Sequence, residues 1–595
     1  QMCIRDSWWG QRLELMRDAI IYFRNNPSIL FYESGNESIS KEHMLEMIAI
    51  RDKYDPYGGR AMGSREMLDI REAEWGGEML YINKSEHHPM FATEYCRDEG
   101  LRKYWDEYSY PFHKEGAGPL YRGQDARIYN HNQDMFAVEL VRRWYDYWRE
   151  RPGTGRRVSS GGAKIIFSDT QTHRRGEENY RRSGVVDPLR IPKDGFFAHK
   201  VMWDGWVDIE KEHTYIIGHW NYSPDVAKPV YVVSTGDRVE LFVNGKSKGF
   251  GKQDCRFLFI FEKVQWEKGT IEAVSYNEFG KELSRYSIKT VGEPEKLKLT
   301  LMHSPEGLFA DGADLAMIQV EVVDSNGNRC PLANNMVRFN LQGPAEWRGG
   351  IAQAADNYVL AKALPVECGI TRVLVRSTDK AGKITIKAEA SGLVSDEVSL
   401  TSIPVKVENG LSKFFPSEKL ASRFDRGETP LTPSYKNSKV DVRVKSAVAG
   451  VNSEEAINSF DSNELSEWKN DGRLSTAWIT YQLERKAEID DICIKLTGWR
   501  KRSYPLEIFA DDELIWSGNT EQSLGYIHLA VKPVRSDKIT IRLKGAAKEA
   551  DAFKQIVEVV EPSAGDLDLL RAKNGEKTNN ELRIVEVEFL ETINR

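Results

Sequence analysis

Two glutamates, each predicted to stand at the end of a buried strand, carry the chemistry that this sequence suggests. Glu37 comes after the apolar run Ser28–Tyr32, and Glu94 stands near the end of the run Met90–Tyr95, 57 residues further along (94 − 37). Hydrolysis of a glycosidic bond with retention of the anomeric configuration uses two carboxyl groups about 5–5.5 Å apart, one protonated and one ionised. The pair therefore predicts a retaining glycosidase site.

Each of the two carboxyl groups has a predicted role. Glu37 is the general acid that protonates the leaving oxygen and later the base that activates water, whereas Glu94 is the nucleophile. Their surroundings must push the two pKa values apart, because one group is protonated while the other is ionised. Asn36 is predicted to hydrogen-bond the sugar 2-hydroxyl, a contact that strengthens in the transition state. The alternative for Glu94 is a surface glutamate at a strand end.

A helix, a turn and a strand are predicted to position Glu37. Apolar residues recur at helical spacing through Gln11–Phe23, and Pro27 cannot continue that helix. Ser28–Tyr32 is a short apolar run of the kind that a sheet buried on both faces requires. Gly35 then allows the chain to turn, so that Glu37 emerges at the carboxyl edge of the sheet, where a (β/α)8 barrel has its active site.

The pattern of residues around both glutamates is similar to that of a known family. Arg24–Glu37 resembles the acid/base motif of glycoside hydrolase family 2, usually N-H-P-S followed by an apolar strand and G-N-E, and Phe91–Tyr95 resembles its nucleophile strand. Ser183–Asp187 and Glu240–Lys246 look like the last barrel turn and the next β-sandwich, and Ala456–Asp461 looks like part of a discoidin-type module. The resemblance implies a retaining exo-β-glycosidase, most simply a β-galactosidase, with β-glucuronidase and β-mannosidase as alternatives.

The order of predicted elements implies a multidomain fold with an α/β part and an all-β part, because alternating strands and helices give way to strands alone. The predicted domains are the carboxyl-terminal part of a (β/α)8 TIM barrel (about strands 4–8), a β-sandwich, an immunoglobulin-like sandwich, a linker and a discoidin-like sandwich, over residues 1–206, 207–295, 296–405, 406–438 and 439–595. Gln1–Ser7 has no targeting pattern, and the family carries further domains before its acid/base strand. We therefore expect an amino-terminally truncated chain with impaired activity that is prone to aggregate.

Further side chains are candidates for the substrate site: Tyr81, His88, Asp169, His173 and Trp203. Tyr81 is predicted to orient the nucleophile and His88 to shape the sugar site, with a core tyrosine and a solvated histidine as the alternatives. Asp169 and His173 follow the last predicted barrel strand and are proposed as sugar ligands. That segment lacks the tryptophan common in the family, so stacking on the sugar is assigned to Trp203 or Trp105.

Metal chemistry has little support in the sequence. The proposed glycosidase reaction requires no cofactor, and the six cysteines are widely separated, without metal-ligand spacing. Cys330 and Cys368 could pair, although unpaired core residues are the preferred interpretation. Asp461 and Asn463 in the carboxyl-terminal module are predicted as ligands of a structural Ca²⁺, which prefers oxygen atoms; oxygen-rich turns without a metal are the common alternative.

Composition excludes several classes of partner. A formal charge of −7 with 29% charged residues provides no basic footprint for nucleic acid. No apolar run reaches the roughly 18 residues of a membrane span. The predicted partner is a β-linked, galactose-like carbohydrate, and the expected location is periplasmic or secreted; the oligomeric state stays open. The rival interpretation from another class is a non-catalytic carbohydrate-binding protein.

Overall fold

The structure is a computed structural model, and it describes most of the chain. The described residues are 9–35, 39–65, 72–78, 89–95, 99–100, 108, 130–131, 133–148, 159–164, 166–170, 183–206, 211–352, 358–408, 411–412, 438–462, 466–498, 502–521, 526–549 and 580–593. The chain divides into two compact units, one formed by residues 1–97, 143–165 and 434–595, the other by residues 98–142 and 166–433. Among the described helices, none has the length and apolar character of a membrane span.

The α/β part alternates helices with short strands, as predicted. Its described elements are α1 (Trp9–Phe23), β1 (Phe31–Glu33), α2 (Lys41–Tyr54), β2 (Ala61–Arg65), β3 (Trp75–Glu78), β4 (Met90–Tyr95), β5 (Glu99–Gly100), β6 (Asn130–His131), α3 (Gln133–Trp148), β7 (Ser159–Lys164) and α4 (Asp194–Trp206). Ser40 caps α2, since its hydroxyl accepts a hydrogen bond from the His43 amide.

Five of these strands form one parallel sheet in the order β1-β2-β3-β4-β7, which is also their order along the chain. Phe31 pairs with Ala61, Gly63 with Trp75, and Gly77 with Phe91. Sequential parallel strands connected through crossovers bring all their carboxyl ends to one edge. The strand that leads to Glu37 and the strand that contains Glu94 therefore end at the same edge.

One face of this sheet packs against helices. Met62 on β2 is fully buried together with Ile20 of α1 and with Met44 and Met47 of α2. Tyr32 of β1 belongs to the same cluster. Because side chains alternate along a strand, Phe31, Trp75 and Phe91 lie on the opposite face.

That opposite face is concave and aromatic. The ring centroids of Phe31 and Phe91 are 5.3 Å apart, although β2 and β3 lie between their strands. A flat sheet would separate the two strands by about 14 Å, so the side chains converge by curvature of the sheet. The ring centroids of Trp75 and Phe31 are 4.6 Å apart. On the neighbouring strand, a Cβ added to Gly63 would lie 2.1 Å from the Trp75 carbonyl oxygen. Glycine at position 63 is therefore required for this close approach.

A buried ion pair anchors the turn before β1. The Arg60 guanidinium donates to Asp55 at 2.7 Å and to the carbonyl oxygens of Asn26 and Ile29. Tyr32 donates its hydroxyl to the same Asp55 oxygen at 2.8 Å. Burial raises the pKa of Asp55, but the hydrogen bonds from Tyr32 and Arg60 outweigh burial and hold the pKa below its ordinary value.

Acid is therefore expected to loosen the turn that Asp55 anchors. A carboxyl group with a lowered folded pKa stabilises the fold above its unfolded pKa of about 3.9, and that contribution is lost as the pH falls through the folded value. Hydrogen-exchange protection of residues 20–35 should drop below about pH 4, and Asp55→Asn should flatten this drop. The exposed neighbour Asp52 is the matched control, so Asp52→Asn should keep the acid response of the unmodified chain. An unchanged acid response in Asp55→Asn contradicts the assignment.

The second part of the chain begins with a β-sandwich. Its strands are β8 (Thr214–Ile216), β9 (Ala227–Ser234), β10 (Arg238–Val243), β11 (Lys246–Phe250), β12 (Lys252–Cys255), β13 (Leu258–Gln265), β14 (Thr270–Tyr276) and β15 (Glu282–Lys289), in the sheets β11-β10-β14-β15 and β12-β13-β9-β8. The residue pair Asn244-Gly245, a type of sequence typical of two-residue hairpin turns, connects β10 to β11 with positive φ angles of 50° and 76°.

A second sandwich follows. Its described strands are β16 (Lys296–Met302), β17 (Phe309–Ala310), β18 (Leu315–Val323), β19 (Met336–Gln342), β20 (Ala345–Gly350), β21 (Ala363–Pro365), β22 (Ile370–Ser377), β23 (Lys383–Ala390), β24 (Asp396–Thr401) and β25 (Ile403–Pro404). The main sheets are β16-β18-β22-β20 and β21-β19-β23-β24. Cys330 and Cys368 are both buried and form no disulfide in the described part of the chain, which confirms the preferred interpretation.

The carboxyl-terminal module contains two unusually long strands. After β26 (Val407–Glu408) and β27 (Leu411–Ser412) come β28 (Ser438–Asp441), β29 (Val444–Ala449), β30 (Trp468–Lys469), β31 (Trp478–Leu496), β32 (Arg502–Ser503), β33 (Pro505–Ala510), β34 (Glu513–Asn519), β35 (Tyr526–Leu543), β36 (Lys548–Glu549) and β37 (Arg583–Ile593). The first half of β31 pairs with β29 and its second half with β37. The strand β35 pairs with both halves of β31, with two register shifts between them. One hydrophobic core, which includes Ile479 and Ile492, draws on both halves.

Candidate active site

The backbone that leads to Glu37 is tied to the neighbouring strand. The Ser34 amide and hydroxyl both donate to the carbonyl oxygen of Gly63, at 2.9 and 3.1 Å. One residue further along each strand, the Ser64 hydroxyl donates to the Gly35 carbonyl oxygen at 2.5 Å. Asn36 and Glu37 themselves lie outside the described residues, so their roles stay predictions. These hydrogen bonds hold the backbone of Ser34 and Gly35, which directly precedes Asn36 and Glu37 in the chain, against β2 at the carboxyl edge of the sheet.

Glu94 lies on β4, whose extent matches the predicted strand Met90–Tyr95. The strand runs parallel to β3 and β7, and Glu94 is its penultimate residue. Thr93 comes close to Gly77 of β3, where an added Cβ would lie 2.9 Å from the Thr93 methyl carbon. The nucleophile assignment of Glu94 stays a prediction; β4 and β1, the strand that precedes Glu37 in the chain, end at the same edge of the sheet.

The concave face below that edge is a feature that sequence reasoning missed. Phe31, Trp75 and Phe91 form a continuous aromatic surface between β1 and β4. The Trp75 indole N–H donates to the Tyr32 carbonyl oxygen at 3.1 Å, which fixes its orientation. Apolar surroundings raise the pKa of a carboxylic acid, so this surface suits a site in which one carboxyl group must stay protonated. The signal in the sequence is the alternation of aromatic residues and glycines across the strands.

Asp169 has a different environment from the sugar site predicted for it. Its carboxylate is buried and accepts from the Lys193 ammonium at 2.9 Å and from the Gly184 amide at 2.8 Å. Neither side chain of the pair is exposed to solvent. Burial raises the pKa of Asp169 to about 7, although the Lys193 charge acts in the opposite direction. The geometry makes Asp169 a partner that holds Lys193 at the start of α4, and a sugar contact stays only a prediction.

The remaining predicted substrate ligands are not brought together by the described residues. Tyr81, His88 and His173 lie outside the described part of the chain. Trp203 lies on α4 with half of its surface exposed. An exposed indole on a helix is available for stacking, and the role of Trp203 in sugar binding stays a prediction.

The predicted calcium ligands receive a partial description. Asp461 accepts a hydrogen bond from the Ser466 hydroxyl at 2.8 Å, while Asn463 lies outside the described residues. In the described part of the chain, no group of three or more histidine, cysteine or acidic side chains is arranged to hold a metal ion. These contacts do not form a calcium site, and calcium binding stays a prediction.

Comparison with known proteins decides the family. Residues 299–399 match the family model described as Glycoside hydrolase family 2 C-terminal domain 5, and residues 226–284 match a Domain of unknown function (DUF4982). A β-glucuronidase from Formosa agariphila is 36% identical over 422 residues, which is 69% of this chain and 41% of the relative. The chain belongs to glycoside hydrolase family 2.

Other members of family 2 support the same assignment. Beta-galactosidase BoGH2A from Bacteroides ovatus is 33% identical over 35% of this family 2 chain and 24% of its own length. The solved structure of a β-glucuronidase from glycoside hydrolase family 2 is 27% identical and superposes with a TM-score of 0.62, covering 91% of this chain and 60% of that one. This family 2 chain thus spans less than half of the length of the two curated relatives.

Proposed function

We propose that this chain carries the catalytic residues of a retaining exo-β-glycosidase. One observation carries the proposal: the strand that leads to Glu37 and the strand that contains Glu94 end at the same edge of one parallel sheet. Family 2 membership and the sequence motifs around both glutamates support the assignment. The sheet order and its concave aromatic face further support a place for these five strands in a (β/α)8 barrel.

The proposed reaction proceeds in two displacements. Glu94 attacks the anomeric carbon while Glu37 gives its proton to the leaving glycosidic oxygen, which forms a covalent glycosyl-enzyme intermediate. Glu37, now ionised, then removes a proton from water, and that water displaces Glu94 from the sugar. Asn36 is assigned to the sugar 2-hydroxyl, and no metal or organic cofactor takes part.

The proposed substrate is a terminal β-linked glucuronide, with a β-galactoside as the second candidate. A β-glucuronidase matches 69% of this chain, whereas a β-galactosidase matches a shorter portion, 35% of it. The sequence motifs alone favour the galactoside. Hydrolysis rates on a panel of aryl β-glucuronide, β-galactoside and β-mannoside distinguish the candidates, and a galactoside rate above the glucuronide rate reverses the order.

Covalent trapping tests the proposed mechanism itself. A 2-deoxy-2-fluoro glycoside with an activated leaving group slows the second displacement, so the glycosyl-enzyme accumulates. Mass spectrometry of the digested protein should locate the sugar on Glu94. A label on another residue, or inactivation without any label, contradicts the assignment.

We also propose a structural Ca²⁺ in the loop that contains Asp461 and Asn463. The support is the oxygen-rich sequence of that loop and the Ser462 amide, which donates at 2.9 Å to a buried carboxylate oxygen of Glu586. Calcium should raise the unfolding temperature of the module, and a chelator should lower it, because a ligand that binds only the folded state stabilises it. Asp461→Asn should abolish this difference. Equal unfolding temperatures with calcium and with chelator refute the proposal.

A further inference from the structure

A cavity of about 360 Å³ lies within the unit that contains both middle sandwiches. It is lined by the start of α4, by β15 of the first sandwich, and by β18 and neighbouring turns of the second. Its volume lies within the range of small-molecule sites in proteins. All of its described lining residues lie between residues 191 and 370 of the chain.

One wall of the cavity is a row of aromatic rings. Phe197 stacks on Tyr215 with centroids 5.1 Å apart and an interplanar angle of 25°. Tyr286 follows at 5.1 Å from Tyr215. The Tyr215 hydroxyl donates to Asp194 at 2.7 Å, and the Gly218 amide donates to the other oxygen of the same carboxylate at 3.1 Å. These bonds hold the wall rigid and satisfy the buried Asp194.

The cavity also has two cationic lining residues. Lys289 ends β15, and Arg329 lies in the turn after β18; both are exposed. Within the described chain, neither side chain takes part in an ion pair or a side-chain hydrogen bond. Glu321, which also lines the cavity, has its own cation in Lys298 at 3.8 Å. Lys289 and Arg329 are therefore available to an anion that enters the cavity.

We infer that this cavity binds a small anionic saccharide, with its carboxylate on Arg329 and Lys289 and its ring against the tyrosine wall. A guanidinium matches a carboxylate with two parallel hydrogen bonds. Aromatic rings provide flat apolar surface for the C–H face of a sugar. A bare inorganic anion would leave this wall unused, and a neutral sugar would leave both cations without a partner. The aromatic wall together with the two cations therefore favours an acidic sugar over an inorganic anion or a neutral sugar.

Titration calorimetry on the full chain tests the inference with sodium D-glucuronate and, as the neutral analogue, D-glucose. Glucuronate should bind at least tenfold more tightly than glucose. Arg329→Gln combined with Lys289→Gln should weaken glucuronate binding at least tenfold. The matched control combines Arg348→Gln with Lys263→Gln, two exposed cations outside the cavity, and should bind as the unmodified chain does.

The same variant separates this cavity from the proposed catalytic site, which would also accept glucuronate. Glucuronate binding that the Arg329 and Lys289 variant keeps belongs to another site, and it overturns the inference. Equal affinity for glucose and glucuronate, or no measurable binding of either, also overturns it.

Discussion

Glu94→Gln is expected to lower glycoside hydrolysis by about four to six orders of magnitude, the scale of loss when a catalytic nucleophile is removed. Glutamine has almost the same size as glutamate but carries no negative charge, so it cannot form the glycosyl ester. Sugar binding should survive, since the shape of the site is kept. The assay uses the whole product of the gene that encodes this chain, because the chain matches less than half of its curated relatives.

The matched control for this prediction is Glu78→Gln. Glu78 ends β3, the strand next to β4, and so stands at the same edge of the sheet. A far smaller loss in Glu78→Gln assigns the effect to the role of Glu94 and not to any change at that edge.

Azide gives a further distinction: with Glu94→Gly it should yield the α-glycosyl azide, and with Glu37→Gly the β-glycosyl azide. The reverse stereochemistry would exchange the two assignments.

Lys193→Met is expected to destabilise its unit by about 3–5 kcal/mol, because it leaves the Asp169 carboxylate buried without its cation. Both side chains of the pair are fully buried, so solvent cannot compensate the lost charge. The loss should grow as the pH rises above about 7, the pKa of Asp169 in the unmodified chain. With the lysine removed, Asp169 can take up a proton at low pH, whereas at high pH ionisation of a buried carboxylate opposes folding.

Two variants separate the ion pair from other effects at Lys193. Lys200 lies on α4, the helix that directly follows Lys193, and is exposed, so Lys200→Met should change stability by less than about 0.5 kcal/mol. The double variant Asp169→Asn with Lys193→Met should be more stable than Lys193→Met alone at pH 8. Denaturant dependence of hydrogen exchange in residues 183–206 measures each value locally. A Lys193→Met loss equal to that of Lys200→Met would rule out a stabilising pair.

Local signals in the sequence predicted much of the fold. The hairpin at Asn244-Gly245 was predictable because these two residue types tolerate the positive φ angles that the turn needs. The helix α1 ends at Phe23, as predicted. The strand β1, however, begins at Phe31, three residues later than predicted. The reason is a turn, in which the Ile29 amide donates to the Asn26 carbonyl oxygen.

The candidate site was predictable only in part, because some of its features arise from tertiary structure. Phe31 and Phe91 are 60 residues apart (91 − 31) and meet only because the sheet curves. Asp169 was predicted as a sugar ligand because acidic residues after barrel strands commonly serve that purpose. Its burial with Lys193 depends on a fold that brings together residues 24 positions apart, and no local pattern announces such a pair.

The two long strands of the carboxyl-terminal module, β31 with 19 residues and β35 with 18, have a consequence for cooperativity. Each continues from one hydrogen-bonded ladder into the next, so separation of either ladder removes a paired strand from the other. Residues from both ladders also share one core. We therefore expect the module to unfold in a single cooperative transition, in which a break within β31 or β35 disrupts both ladders.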